Sequence, residues 1–412
     1  MKVIIIFFIS SFVGIVADNS KDLRSAIRLY ESGKWKESIE ILNKIDPKFK
    51  VQEIQFWKGK INEKLNKNPD AILNYQNSLS VPKSFRKEEY FLFARDALFR
   101  LYRETDQLDS ILKDREKYFS SDEEISGEMN SLLLEAYLQK FFELLENKQY
   151  SLGNEMYQKY IELLSHEDRS NKQFFPGVKD GELILEAYRY CNEFEKKSNS
   201  KLKLGVVLFR GAEFEDSMGN QTFSLKDNSR KKLELTLSLL EKYFFFLTEG
   251  KLWVEPEYII KNKKISGISN EDRKNSAQSL SLNLSRFSDE DRTWLIDLSK
   301  QYDVLLFFLP GEMKGFTFYN FNLSGMKKAG DSHFRILLTL DGKFGPVGAI
   351  KNFFPYYISL KNKKNQGKFK NDLNKFSDKN IKNPLLGLRE LFNKYKTQKG
   401  SSKTKTESKS KP

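Results

Sequence analysis

The chain is short of the residues on which much enzyme chemistry depends. Among its 412 residues there are one cysteine and two histidines. A single cysteine excludes an intrachain disulfide, a cysteine-based zinc knuckle and an iron–sulfur site. His166 and His333 stand 167 positions apart, which leaves no local pair to hold a catalytic metal. Glycine and proline are sparse through the first half, and no long apolar run follows the first seventeen residues. Hydrophobic residues make up 39% of the chain and aromatics 14%, with 34 Phe and 18 Tyr. That is ample material for buried cores, so global disorder is excluded. The length suits two, or three, such cores.

The start of the chain has its own pattern. Met1-Lys2 precedes the apolar run from Val3 to Ile9, then Ser10-Ser11-Phe12-Val13-Gly14-Ile15-Val16-Ala17, and Asp18 follows. A basic start, a dozen apolar residues and a small residue before a polar stretch read as a secretory signal peptide over 1–17. The run falls short of the ~20 apolar residues that span a bilayer as a helix. An uncleaved anchor is the other reading. No cysteine lies nearby for acylation. The expectation is an exported protein, periplasmic or secreted, that is not transmembrane after cleavage. Cys191, on an amphipathic stretch with no basic or His neighbour in sequence, reads as a small buried hydrophobe.

Charge is concentrated at one end. From Lys351 onward there are 17 basic and 4 acidic residues, so this region carries +13 of the net +14. The last stretch, 396–412, has almost nothing to bury and is expected to be a disordered Lys-rich tail. Such a tail could meet an anionic lipid or a polyanionic glycan. Export and the absence of a stacking motif make nucleic acid the weakest partner. A solubilising tail is the plain alternative.

Between 23 and 197 apolar residues recur at helical spacing. Ile27 to Pro47 contains a helix ending near Gly33, an aromatic Trp35 opening the next, a small Ser38 and a closing Asp46-Pro47. Gly59 precedes a similar run from Asn68 through Ala71 to Leu79, with Pro82 closing, and Ser38 and Ala71 are 33 residues apart. A third copy begins at Tyr150 with Gly153, and a degenerate one covers 94–119 with Leu108 opening its second helix. The pattern resembles a tetratricopeptide repeat over about 23–168, capped by a helix over 181–197. Small residues at Ser38, Ala71 and Gly153 let paired helices approach, and Leu42, Tyr75 and Tyr157 lie one turn on. The resemblance implies a helical solenoid that binds a protein or peptide partner on its concave face. Tyr30, Trp35, Trp57, Tyr75 and Tyr157 sit at core spacing and are expected inside.

Near 197–201 the pattern turns strand-like. The expected order is a strand at 204–210, a helix at 231–247, a strand at 251–260, a loop at 263–283 and a helix at 289–301. A strand at 303–310, an edge strand at 315–323, a strand at 334–340 and a helix at 347–360 kinked by Pro355 complete it. The domains are therefore expected as 18–198 for the helical repeats, 199–203 for a linker and 204–395 for an α/β domain. The fold class is α plus α/β with a mixed sheet.

That order of elements resembles the N-terminal subdomain of zincin metallopeptidases. In that family the last helix carries H-E-x-x-H, two zinc-binding His with a Glu base between them. Here Lys351-Asn352-Phe353-Phe354-Pro355 stands in its place. Lys351 and Pro355 would remove both ligands, and Asn352 would remove the base, which implies an inactive descendant. Other chemistry is thinly marked. The segment from Leu309 to Gly315 lacks the phosphate-loop pattern. Glu213, Glu215 and Asp216 are expected in a loop after the first strand, at no recognised Ca²⁺ spacing. Ser–Lys chemistry has no pair that stands out. No catalytic residue, metal ligand or cofactor is assigned.

These readings converge on an exported, non-enzymatic binding protein with a helical-repeat solenoid and a catalytically empty α/β domain. That domain's edge strand is a candidate for peptide addition. Two alternatives stand beside it, an exported hydrolase with an unrecognised site and an envelope-surface protein that binds polyanions through its tail.

Overall fold

The computed structural model describes residues 18–119, 125, 127–165, 176–194, 200–209, 211–216, 219–224, 227–261, 265–271, 279–282, 288–309, 319–320, 334–339, 350 and 383–397. The fold is α plus α/β. It divides into two compact units, one ending at Leu132 and the other beginning at Leu133.

The first unit is a row of helices: α1 (18–31), α2 (Trp35–Lys44), α3 (Val51–Lys64), α4 (Asn68–Leu79), α5 (Glu88–Glu104) and α6 (Leu108–Tyr118). Each packs chiefly on its sequence neighbours. One turn joins the members of each pair. After α1 the N–H of Lys34 donates to the carbonyl of Leu29 at 2.9 Å; after α3 Lys67 donates to Asn62 at 2.8 Å; after α5 Gln107 donates to Tyr102 at 2.8 Å. A left-handed residue makes each bend, Gly33, Asn66 and Asp106 in turn. This is the six-to-one closure that satisfies the orphan carbonyls of a helix end. Asn66 and Asp106 tolerate that backbone because a short polar side chain does so better than a bulky one. The same turn recurs in the second unit at Lys148, where Gln149 donates to Leu144 at 2.8 Å.

The turn supplies a common origin for numbering the helical pairs. Five residues beyond each left-handed residue lie Ser38, Ala71, Ile111 and Gly153, all buried. Three of the four are small. Ser38 Oγ donates to the carbonyl of Ala26 at 2.7 Å and Ser78 Oγ to that of Gln52 at 3.0 Å, so α2 and α4 lie close against α1 and α3. At Gly59 an added Cβ would meet the Tyr75 ring at 2.6 Å. The period does not hold at 33. From Asn66 to Asp106 is 40 positions and from Asp106 to Lys148 is 42; the greater length of α5 (17 residues) and of the later α7 (20 residues) over α3 (14 residues) makes up part of each increase.

The second unit contains most of α7 (Gly127–Glu146), then α8 (Tyr150–Ser165) and α9 (Val178–Glu193). A sheet and further helices follow: β1 (Ser200–Phe209), β2 (Gly211–Asp216), β3 (Gly219–Ser224), α10 (Asp227–Leu247), β4 (Leu252–Lys261), β5 (Ile265–Glu271) and β6 (Ser279–Leu282). The chain continues through α11 (Asp289–Gln301), β7 (Val304–Leu309), β8 (Tyr319–Asn320), β9 (Phe334–Thr339) and α12 (Pro384–Thr397). The main sheet has the order β4-β1-β7-β9-β8, parallel except for β8. A second sheet has the order β3-β2-β5-β6. Central β1 is apolar without alternation (Leu204, Val206, Val207 and Leu208 are all buried), as a parallel strand covered on both faces must be. Gly205 in its middle has no room for a Cβ, which would lie 2.5 Å from Leu305.

Helix α10 ties this unit together. It is buried nearly all round, from Leu233, Leu235, Leu237, Leu239 and Leu240 to Tyr243, Phe244 and Phe245. One side packs on α9 and the other on β4. A helix apolar on all sides belongs in the middle of a structure. This corrects the expected domain border. Ser200 to Lys203, read as linker, pair with Leu252 to Glu255 as the first residues of β1. Because α10 packs on both α9 and β4, the last helices read as repeats belong to the same unit as the sheet.

Further corrections concern strands and the tail. The expected loop over 263–283 contains β5 and β6, whose Ser- and Asn-rich sequence hid them. Glu213, Glu215 and Asp216 lie in β2, opposite Thr222, Asn220 and Gly219 of β3, and not in a loop. Of the expected edge strand over 315–323 only Tyr319 and Asn320 lie within the described residues; β8 is at the edge, but β6 of the second sheet passes next to it. Lys396 and Thr397 end α12 and do not open a tail.

Candidate protein-binding face

In the first unit the aromatic residues expected in the core divide into two groups. Tyr75 is fully buried, and so is Tyr157 of the second unit. Tyr30, Trp35 and Trp57 are only half-buried. Tyr30 and Trp57 belong to a cluster on the first helices of successive pairs. Tyr30 on α1 meets Trp57 on α3 edge-on at 5.4 Å between centroids. Phe56 touches Trp57 at 5.6 Å, Tyr90 on α5 at 5.3 Å and Phe93 at 6.3 Å. Phe93 is 52% exposed at the end of this ladder.

Lys60, one turn beyond Phe56 and Trp57, extends over these rings. Its Nζ is 4.7 Å from the Trp57 centroid, 5.1 Å from Tyr30 and 5.6 Å from Phe56. Ring faces attract a cation, with a value of about 0.5–1 kcal/mol at exposed sites and more when desolvated. Burial holds its ammonium below the usual lysine range, partly offset by Glu63 and Glu31 nearby. Among the described residues no carboxylate lies within ion-pair distance of Lys60, so its donors stay available at the surface.

Two carboxylates brace this face. Glu53 accepts from Tyr90 Oη at 2.9 Å and from Lys87 Nζ at 3.3 Å. Burial and then the bond to Glu53 push the Tyr90 phenol up to about 12. Glu63 accepts from Arg100 Nη2 at 2.6 Å and from the buried Tyr75 hydroxyl. Gln52 clasps the chain before α5, with Nε2 donating to the Lys87 carbonyl at 3.1 Å and Oε1 accepting from its N–H at 2.7 Å. Beside that clasp is an open pocket of about 680 Å³, lined among others by Lys48, Lys50, Lys87, Val81, Pro82 and the exposed Phe85.

The second unit contains one Ser–Lys pair that sequence spacing did not single out. Ser238 and Lys242 lie one turn apart on α10, and Lys242 Nζ donates to Ser238 and to both oxygens of Glu146 on α7, at 3.0 and 3.1 Å. Ser238 itself donates to Glu146. A lysine that activates a nucleophile must accept the serine proton. Here the lysine donates and a carboxylate holds its charge, so the group is a strut between α7 and α10. A neighbouring pair, Lys232 and Glu135 at 2.9 Å, is almost wholly buried in the same interface.

Cys191 is half-buried, its Sγ directed at the Lys242 carbonyl at 3.5 Å. Lys351, Asn352 and Pro355 lie outside the described residues, as do His166, His333, 1–17 and 398–412. Among the described residues no group of three or more His, Cys, Asp or Glu could hold a metal ion, and no helix is long and apolar enough to cross a membrane. No family model matches the chain, and neither the curated proteins nor the solved structures contain a match.

Proposed function

We propose that the protein is an exported, non-enzymatic binding protein whose helical pairs form a tetratricopeptide-like solenoid that takes an acidic peptide segment of a partner protein. The observation that carries this reading is Lys60, an ammonium with no carboxylate within ion-pair distance among the described residues, held over three aromatic rings on a half-exposed face. A peptide carboxylate would satisfy its donors, and an apolar side chain beside it would cover Phe93 and Trp57. In the solenoid this face, built from the first helix of each pair, is the concave one. Export rests on the segment over 1–17, and the inactive zincin resemblance on the order of strands and helices leading to Ile350.

The test is selection of peptides from a random display library on the full chain. Enriched peptides should pair Asp or Glu with a neighbouring apolar residue, and Lys60→Glu should weaken them at least tenfold. Enrichment without acidic residues, or binding indifferent to Lys60→Glu, overturns the reading.

A further inference from the structure

The segment between α4 and α5 and the start of α3 enclose the open cavity of about 680 Å³. That volume is of the size that takes a small ligand or a large side chain. Its walls are tied in place. Gln52 on α3 holds the backbone of Lys87 by two bonds, at 2.7 and 3.1 Å. Ser78 Oγ on α4 donates to the Gln52 carbonyl at 3.0 Å, and the N–H of Phe85 donates to the Pro82 carbonyl at 2.9 Å. The cavity is therefore preformed, and an occupant need not order its walls.

The lining is amphipathic. Val51, Val81, Pro82 and Phe85 supply the apolar part, and Phe85 is 78% exposed. A ring left in water gains nothing from its apolar area until something covers it. The charged part is one-sided. Lys48, Lys50 and Lys87 line the cavity with a single carboxylate, Glu53. Glu53 is already engaged, by Tyr90 Oη at 2.9 Å, Lys87 Nζ at 3.3 Å and Lys50 Nζ at 3.8 Å. Three positive charges against one negative favour an anionic occupant with an apolar body.

The cavity lies on the same side of α3 as Lys60. Glu53 and Lys60 are seven positions apart, two helical turns. Phe56 and Tyr90, with ring centroids 5.3 Å apart, lie between them and join the two ends by apolar surface. From Lys50 to Lys60 is about 15 Å along the axis, at about 1.5 Å per residue. An extended peptide covers that distance in about five residues. Resting on the acidic-peptide reading of the Lys60 face, we infer that this cavity is its second subsite. The partner segment then carries two anchors, each an acidic residue beside an apolar one. One anchor meets Lys60 over its rings; the other places its apolar side chain against Phe85 and its carboxylate among Lys48, Lys50 and Lys87.

The experiment is selection on the full chain from a random peptide library long enough to hold both anchors. Enriched peptides should carry two acidic–apolar clusters about five residues apart. One such peptide, made synthetically, should bind Phe85→Ser and Lys50→Gly each about tenfold or more weaker, because linked anchors act at high effective concentration. Lys50 has φ +38°, a backbone that glycine adopts more readily, so Lys50→Gly should melt no earlier than the unmodified chain. The peptide with its second cluster replaced by Gly and Ser should bind all three chains alike, and Lys60→Glu should still weaken it. Peptides with one cluster, sensitive to Lys60→Glu and indifferent to both cavity variants, overturn the second subsite and leave the acidic-peptide reading standing. Binding indifferent to Lys60→Glu overturns that reading and the subsite with it.

Discussion

The two units are held by contacts of different reach. In the first, polar contacts between elements join residues 12 apart (Ser38 to Ala26), 26 apart (Ser78 to Gln52) and 37 apart (Arg100 to Glu63). In the second, Lys232 reaches Glu135 across 97 residues, Lys203 reaches Asp303 across 100, and Asp180 reaches Leu386 across 206. Short-range contacts form early and fail locally; long-range ones must close large loops before they contribute. Damage in the first unit should stay near its site, and damage in the second should spread through α9, α10 and the sheet together.

The largest expected effect tests the second half of that contrast. Lys232→Met takes the ammonium away from the buried Glu135 carboxylate and should cost about 3–5 kcal/mol, while pairing it with Glu135→Leu should restore most of the loss. Urea unfolding followed by hydrogen exchange in β1 and α12 would register both. Next come two glycines under tyrosine rings. An alanine Cβ at Gly181 would lie 2.1 Å from Tyr157, and one at Gly59 2.6 Å from Tyr75. Overpacking of this kind costs about 1–3 kcal/mol. The comparison predicts that Gly181→Ala lowers protection as far as β4, whereas Gly59→Ala lowers it only in α3, α4 and α5. A smaller change is Gln52→Leu, which removes both bonds to Lys87 and should cost about 1–2 kcal/mol, read as faster exchange over 83–90. The smallest is Ser38→Ala, about 1 kcal/mol, confined to α1 and α2.

The first unit was legible because its rules are local. Gly33, the small Ser38 and Ala71 and the closing prolines announce helix ends and close approaches within a few residues. Strands β1, β4, β7 and β9 and helix α11 were also visible as apolar runs or helical spacing. What sequence could not display was partnership. The pattern Leu385, Leu388, Leu391 and Phe392 after Pro384 marks a helix, and it was missed amid the lysines around it. Nothing local says that its start meets Asp180. The expected border at 199–203 failed because α10 takes part in two packings at once, while composition changes only where strands begin. For the candidate face, aromatic spacing gave the right helices but assigned Tyr30 and Trp57 to the interior. Their half-exposure depends on how α1, α3 and α5 align, which no single helix encodes.

The most direct test of this division is native-state hydrogen exchange of the full chain across sub-denaturing urea. The account predicts that α8 and α9 lose protection in the same step as α10, β1 and β4, at a free energy distinct from that of α1 to α6. If α9 instead opens together with α1 to α6 while β1 and α10 remain protected, the border lies after the helices and the shared role of α10 is contradicted.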